Sequence, residues 1–323
     1  KLKALLVVRN EMFLERIFKF ITNPGIDLTG VHEEVDFASL PNWTNYEVLF
    51  VGGLKRQTVQ TVMASNPIKW VHTLSAGIEQ TLIPEISETD VKLTSSKGCY
   101  NEGLADFAIS SILHFHRHIP RLQELKTQKK WQKQLMYPTI KGKRLGILGY
   151  GAIGTEIGKM AKLGFGMQIV AIKRNLQGSV EYADEVYSLT DLPTILPSLD
   201  FLVMSLPSTP STESLIGAAE ISLMKPTSVI VNVGRGSSID EEALSQALHE
   251  ERLLGAALDV FKVEPMPEDH FLWTTPRLLI SHHNACMTTD TYAAVIRRLE
   301  ENLARYLNDE PLASVVDKQA GYC

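Results

Sequence analysis

The stretch KRLGILGYGAIGTEIGKMAKLG, running from Lys143 to Gly164, decides the fold. It opens with a short run of Leu and Ile, passes through Gly149, Gly151 and Gly154, and continues into a helical pattern. A glycine-rich turn alone is commonplace, but G-x-G-x-x-G directly after a strand and directly before a helix is the context of a dinucleotide-binding turn. The glycines permit a tight turn and let a pyrophosphate approach the backbone. The N–H groups of Ala152 and Ile153, at the helix start, then face negative charge. The plainer alternative is an ordinary strand-to-helix turn.

The following strand ends in QIVAIKRN. NAD-binding units usually carry Asp or Glu there, about 20 residues beyond the glycines, to hold the adenosine ribose hydroxyls. This chain has Lys173 and Arg174 instead. A carboxylate would repel a ribose 2'-phosphate, whereas this pair would attract it, so NADP(H) is expected over NAD(H). The bland reading is two solvated surface cations.

Further apolar runs flank this unit: KALLVV, EVLFVGG, KWVHTLSAG and VKLTSS before it, and DFLVMSLP, SVIVNVG, LGAALDV and LLISHH after it. They are nearly unbroken, as strands buried on both faces should be, and they alternate with helical segments such as Gly154 to Leu163 and Asp240 to Glu251. The expected class is α/β, with two doubly wound parallel-sheet domains. A helical pattern begins near Ala105 and runs on through HRHIPRLQELKTQKKWQKQ as a charged arm. The last helical segment places Tyr292, Ile296, Leu299, Leu303 and Tyr306 on one face and can return to the first domain. That gives residues 1–100 with 288–323 as one domain and 101–287 as an inserted dinucleotide-binding domain.

At 323 residues the chain is long enough for two cores. Its hydrophobic content of 44%, charged content of 21% and net charge of -5 fit a globular protein and argue against a nucleic-acid surface as the main business. KLKALLVVRN is too short an apolar run for a signal-peptide core, and no segment is long enough to span a membrane. Cys99, Cys286 and Cys323 form no CxxC pair, which suggests neither a disulfide framework nor a zinc cluster and fits a reducing cytoplasm.

The ordered set GILGYGAIG, MSLPSTPST, SVIVNVGRGSSIDEEAL, LLGAALDVFKVEPMP and ISHHNAC resembles the D-isomer-specific 2-hydroxyacid dehydrogenase family over almost the whole chain. The resemblance implies a Rossmann domain inserted into a flavodoxin-like substrate domain, with a cleft between them. It also implies a catalytic Arg, Glu and His, which by motif are Arg235, Glu264 and His283. These types suit the chemistry. A guanidinium grips the carboxylate and carbonyl of a 2-oxo acid, and hydride delivery leaves an alkoxide that needs a proton donor titrating near neutrality. A neighbouring carboxylate favours the imidazolium. Taken singly, Arg235 can cap loop carbonyls, Glu264 can be a solvated loop carboxylate, and His283 can be a satisfied strand-end histidine.

The same resemblance places Asp259 at the nicotinamide carboxamide and Pro207 and Thr212 along the cofactor. It also places Gly52, Gly53, Ser75, Ala76 and Gly77, with Arg235, at the substrate carboxylate. Exposed N–H groups in the Ser75–Gly77 turn are expected to do this binding. Lys55 and Arg56 are either a phosphate contact or the solvated start of a helix. Two departures from the family pattern are His282, where Pro is frequent, and Cys286, where Gly is frequent; apolar burial is the expected role of Cys286. Alternation along a strand is expected to turn His282 away from the face that carries His283.

The expected activity is hydride transfer between NAD(P)H and a small 2-oxo acid such as glyoxylate or hydroxypyruvate, with no metal. Glu264 argues against the formate-oxidising branch, which lacks it. Alternatives are a phosphoglycerate dehydrogenase of the short form, without a regulatory domain, and a non-enzymatic dinucleotide-sensing interaction protein. The family also implies a homodimer, with the arm from His114 to Pro138 as its candidate contact.

Overall fold

A computed structural model describes residues 1–40, 43–174, 176 and 179–319; Cys323 lies outside the described residues. The chain separates into two units, residues 1–100 with 288–323, and residues 101–287.

In the first unit, the apolar runs form β1 (Leu2–Val8), β3 (Val48–Gly52), β4 (Trp70–Thr73) and β5 (Lys92–Ser95), with β2 (Ile26–His32) at the edge. The order is β2-β1-β3-β4-β5, every pairing is parallel, and the strand order reverses between β1 and β3. Leu5, Val7, Leu49, Val51 and Val71 pack on one face of this sheet, and Ala4, Leu6, Val48, Phe50 and Trp70 on the other. The second face is closed by the Thr289–Leu307 helix through Val295, Leu299 and Leu303, which recur every four residues and so share one stripe. Thr288 caps that helix by accepting the Thr291 N–H at 3.1 Å.

The second unit carries seven parallel strands: β6 (Arg144–Leu148), β7 (Gln168–Ile172), β8 (Glu185–Tyr187), β9 (Phe201–Met204), β10 (Val229–Asn232), β11 (Gly255–Leu258) and β12 (Leu278–Ile280). Their order is β12-β11-β10-β9-β6-β7-β8, which is the doubly wound dinucleotide-binding order with a seventh strand added. The switch point lies between β6 and β9, where the loop at Gly149 emerges. In such sheets ligands bind outside the carboxyl ends of the strands at this crevice.

Two expectations need correction. The run of apolar residues picked out neither β2 nor β8. Both are edge strands: β2 buries only Ile26 and Val31 and β8 buries no residue, so neither carries the unbroken Val/Ile/Leu signal of a central strand. The long helical arm is also two helices. The first spans Asn101–His116, starting before Ala105, and buries Leu104, Ala108, Ile112 and Phe115. The second spans Ile119–Thr127. Between them His118 is left-handed with φ of 51°, just ahead of Pro120, which lacks the N–H that a continuous helix needs.

Candidate active site

Each glycine of the opening motif has its own constraint. Gly149 has φ of +94°, and a Cβ there would lie 2.8 Å from the Ser205 carbonyl oxygen. A Cβ on Gly154 would lie 2.7 Å from the Gly149 carbonyl oxygen, so helix and turn touch through backbone. At Gly151 a Cβ would meet nothing within 4 Å, so open space lies over the turn. The Ala152–Phe165 helix starts there, with its first N–H groups pointing out of the helix end. This combination, packed on two sides and open on the third, fits a pyrophosphate group. Tyr150 fixes the turn from beside it, its hydroxyl donating to the Glu181 carbonyl at 2.7 Å.

Around this turn, the half-buried Lys173 follows β7, its N–H donating to the Tyr187 carbonyl at 3.0 Å, and the exposed Arg174 comes next. After β9, Pro207 is exposed and Thr212 is buried. The Thr212 hydroxyl lies 2.8 Å from the Pro207 carbonyl and accepts the Thr209 N–H at 3.0 Å, so that side chain is engaged in shaping its own loop.

Arg235 follows β10. Its Nη1 donates to the Gly234 carbonyl at 2.8 Å, which takes one of the five guanidinium donors. The backbone at Arg235 is held from below by Asn232, which is fully buried at the end of the strand. Its amide donates to the Arg235 carbonyl at 3.0 Å and its oxygen accepts the Gly234 N–H at 3.0 Å. Gly236 lies against the next loop so closely that a Cβ would fall 2.0 Å from the Phe261 carbonyl carbon.

After β11 comes Asp259, buried to 1% exposure. Its Oδ1 accepts the Ser281 hydroxyl at 2.7 Å and the Asn284 and Ala285 N–H groups at 3.0 Å each, while its carbonyl accepts the His283 N–H at 2.8 Å. Glu264 turns back on the same loop, Oε1 accepting the Phe261 N–H at 2.9 Å. Its Oε2 lies 2.6 Å from Nδ1 of His283. The structure thus brings Glu264 and His283 into direct contact and roots both in the loop that follows Asp259.

The pair polarises itself. The Glu264 hydrogen bond, reinforced by the charges of Glu264 and Asp259, raises the His283 imidazolium above its ordinary range against the opposing effects of burial and Arg235. Burial alone would lift the Glu264 carboxyl, but the bonds from His283 and the Phe261 N–H, with the positive charges of His283 and Arg235, hold it below the usual range. With Nδ1 on Glu264, Nε2 is the imidazole nitrogen left to exchange a proton with a ligand.

Strand alternation is not what separates the two histidines. β12 stops at Ile280, and His283 adopts φ of 53° in a turn, with Asn284 Oδ1 accepting the His282 N–H at 3.2 Å. The His282 ring lies 6.1 Å from that of Trp273. Cys286 is half-buried, and burial, with the Asp259 charge, pushes its thiol up to about 11, which leaves it protonated.

In the first unit, Gly52 ends β3 and Gly53 is left-handed with φ of +69°. In the turn after β4, the Ser75 N–H is taken by Thr73 Oγ1 at 3.2 Å, which corrects the expectation that all three N–H groups there are open. Arg56 begins the Arg56–Ser65 helix and donates to the Glu79 carbonyl at 2.9 Å. Among the described residues, no three His, Cys, Asp or Glu side chains group as a metal site, and no helix is long and apolar enough to cross a membrane.

Sequence reading missed Asn232, Ser281 and Glu241. Each is a polar residue adjoining an apolar strand or opening a helix, and only the contacts distinguish such a residue from a solvated one. Asn232 carried the one available signal, a polar residue ending the otherwise apolar run SVIVN.

The family described as D-isomer specific 2-hydroxyacid dehydrogenase, NAD binding domain, matches residues 109–285, more than half of the chain. A glyoxylate reductase of Thermofilum pendens is 28% identical across 97% of this chain and 96% of its own. A hydroxypyruvate reductase of Thermotoga maritima is 31% identical across 87% and 91%. The crystal structure of a D-isomer specific 2-hydroxyacid dehydrogenase from Xanthobacter autotrophicus, in complex with NADPH and MES, is 25% identical and covers 98% of this chain and 99% of that one, with a TM-score of 0.81. The chain belongs to the D-isomer specific 2-hydroxyacid dehydrogenase family.

Proposed function

We propose that the protein reduces a small 2-oxo acid of the glyoxylate or hydroxypyruvate kind to its D-2-hydroxy acid, using NADPH in preference to NADH. The observation that carries the reading is the 2.6 Å contact between His283 Nδ1 and Glu264 Oε2, on the same sheet edge as Arg235 and the glycine turn. The nicotinamide, when bound, supplies the hydride. Arg235 grips the substrate carboxylate and draws electron density from the carbonyl oxygen. His283 gives its Nε2 proton to the oxygen as the alkoxide forms, and Glu264 keeps the imidazolium charged and oriented until then. Gly149, Gly151, Ala152, Ile153 and Gly154 hold the pyrophosphate, with Pro207, Thr212 and Asp259 lining the rest of the cofactor. Gly52, Gly53, Ala76 and Gly77 offer backbone N–H groups to the carboxylate, with Ser75, its own N–H held by Thr73, shaping the turn.

The cofactor preference rests on Lys173 and Arg174 at the end of β7, and the NADPH-bound relative supports it. A phosphorylated substrate is less well served, since Arg56 is bonded to Glu79. A reducing cytoplasmic setting suits the thiols of Cys99 and Cys286. A homodimer through the arm is part of the same reading: Trp131 and Met136 are each 93% exposed on it. A strictly monomeric mass by light scattering would remove the dimer.

The test is oxidation of NADPH and NADH by the purified protein with glyoxylate, hydroxypyruvate, pyruvate and phosphohydroxypyruvate. The expected result is fastest turnover with NADPH and one of the first two acids. NADH preference would sink the cofactor reading. Cofactor binding with no turnover of any acid would favour a dinucleotide-sensing protein instead.

A further inference from the structure

We propose that Glu241 is a positioning residue for the acid–base pair, holding the Phe261–Glu264 segment in place through the N–H of Lys262. This rests on reading Glu264 and His283 as that pair. Glu241 opens the Glu241–His249 helix and is only 2% exposed, an unusual place for a carboxylate. Its Oε1 accepts the Lys262 N–H at 2.8 Å, and the preceding N–H, that of Phe261, goes to Glu264 itself at 2.9 Å. Two successive backbone donors are therefore claimed by two carboxylates, one anchored in a helix and one bearing on His283. Gly236 makes the same segment tight from another side. A residue that merely filled space would be apolar here; a buried carboxylate is retained at a desolvation cost that its bond to Lys262 only partly offsets.

The groups facing Glu241 are Lys262, whose charge favours the anion, Glu242, which opposes it, and His270, whose Nε2 lies 3.9 Å from Oε2. Burial pushes the Glu241 carboxyl upward against the Lys262 N–H. The groups facing the pair itself are Arg235 and Asp259. None of them lies in the Glu241–His249 helix, so Glu241 acts on the pair by placing backbone and not by field.

Two mild substitutions separate geometry from charge. Glu241→Gln keeps an oxygen at the same reach without the charge. Glu241→Asp keeps the charge but withdraws the oxygen by about 1.5 Å, one C–C bond, beyond hydrogen-bond length. In the Asp variant kcat is expected to fall by roughly tenfold or more with the KM for NADPH little changed, because misplaced catalytic groups lose rate before cofactor affinity. The basic limb of its pH–rate profile should move to lower pH. The His283 ring, followed by NMR in the cofactor-free protein, should titrate at lower pH as well. The Gln variant should stay within about threefold of the parent in kcat, with an unmoved limb. A lowered Tm in Glu241→Asp with limb and His283 titration unchanged would overturn the proposal, and so would equal loss in the Gln variant. If instead His283→Ala turned over normally, the acid–base reading itself would fail, whatever the Glu241 variants did.

Discussion

His283 sits in the left-handed region, where a side chain costs roughly 1–2 kcal/mol, and the surrounding bonds to Asp259 make that conformation the one the loop adopts. The turn sends neighbouring histidines to different fates. His283→Ala is therefore expected to lose at least about a hundredfold in kcat while NADPH binding survives, and His282→Ala to keep most of its rate. Steady-state kinetics with a fluorescence titration of NADPH would check both, and equal collapse would reverse the assignment. The same contact sets a pH dependence. His283 is raised, so it remains a proton donor past the pH at which a free imidazole would lose its charge, and reduction should fail only as pH rises through the raised value. Glu264 is depressed, so its half of the pair persists until pH falls through that lowered value. Their mutual stabilisation is greatest between the two, and it is modest because both side chains are partly solvated. Glu264→Gln should move the basic limb of kcat/KM downward; an unmoved limb would separate Glu264 from the titration. The identities of Arg235, Glu264 and His283 were legible as motif residues. The support beneath them was not, because Ser281 and Glu241 act across 22 and 21 residues of chain, and Asn232 acts through a local turn geometry that its residue type does not specify.

At the scale of single elements, the glycine turn divides structural need from ligand need. Gly149→Ala forces a side chain into φ of +94° and against the Ser205 carbonyl, which should cost about 1–3 kcal/mol in strain alone. Gly151→Ala meets no protein atom, so the fold should melt within a degree or two of the parent while NADPH affinity drops. Urea unfolding and a cofactor titration on the two variants give the comparison, and a Gly151→Ala protein of unchanged affinity would mean that the pyrophosphate does not approach this backbone. The turn was readable because strand, glycines and helix are contiguous in sequence. So were the central strands, whose two buried faces write an unbroken apolar run. Edge strands β2 and β8 left no such mark, and the break at His118 is set by Pro120, a residue the amphipathic pattern runs straight through.

For the whole molecule, the consequence of the two-unit arrangement is that the inserted unit should be self-sufficient. Its core draws on Leu148, Val170, Leu202, Ile230 and Leu258, all within residues 101–287, and the Asn101–His116 helix closes its other side. That helix is integral: a Cβ on Gly255 of β11 would lie 2.2 Å from the Phe115 ring, so that ring rests directly on the backbone of the sheet. The fragment 101–287 is thus expected to unfold cooperatively and to bind NADPH, and under the proposed function to reduce no 2-oxo acid, because the turns at Gly52 and Ser75 that this proposal assigns to the substrate lie outside it. A fragment starting after the helix, at Arg117, should fail to fold, having exposed the surface that Phe115 and Ile112 cover. At a hundredfold excess over Kd, a ligand that binds only the folded state adds about 2.7 kcal/mol, or roughly 5–10 °C in Tm for a domain of this size. A calorimetric scan of fragment 101–287 with and without NADPH measures this directly. A broad transition, or one that NADPH leaves in place, would mean that the inserted unit depends on the rest of the chain for its order or for its cofactor site.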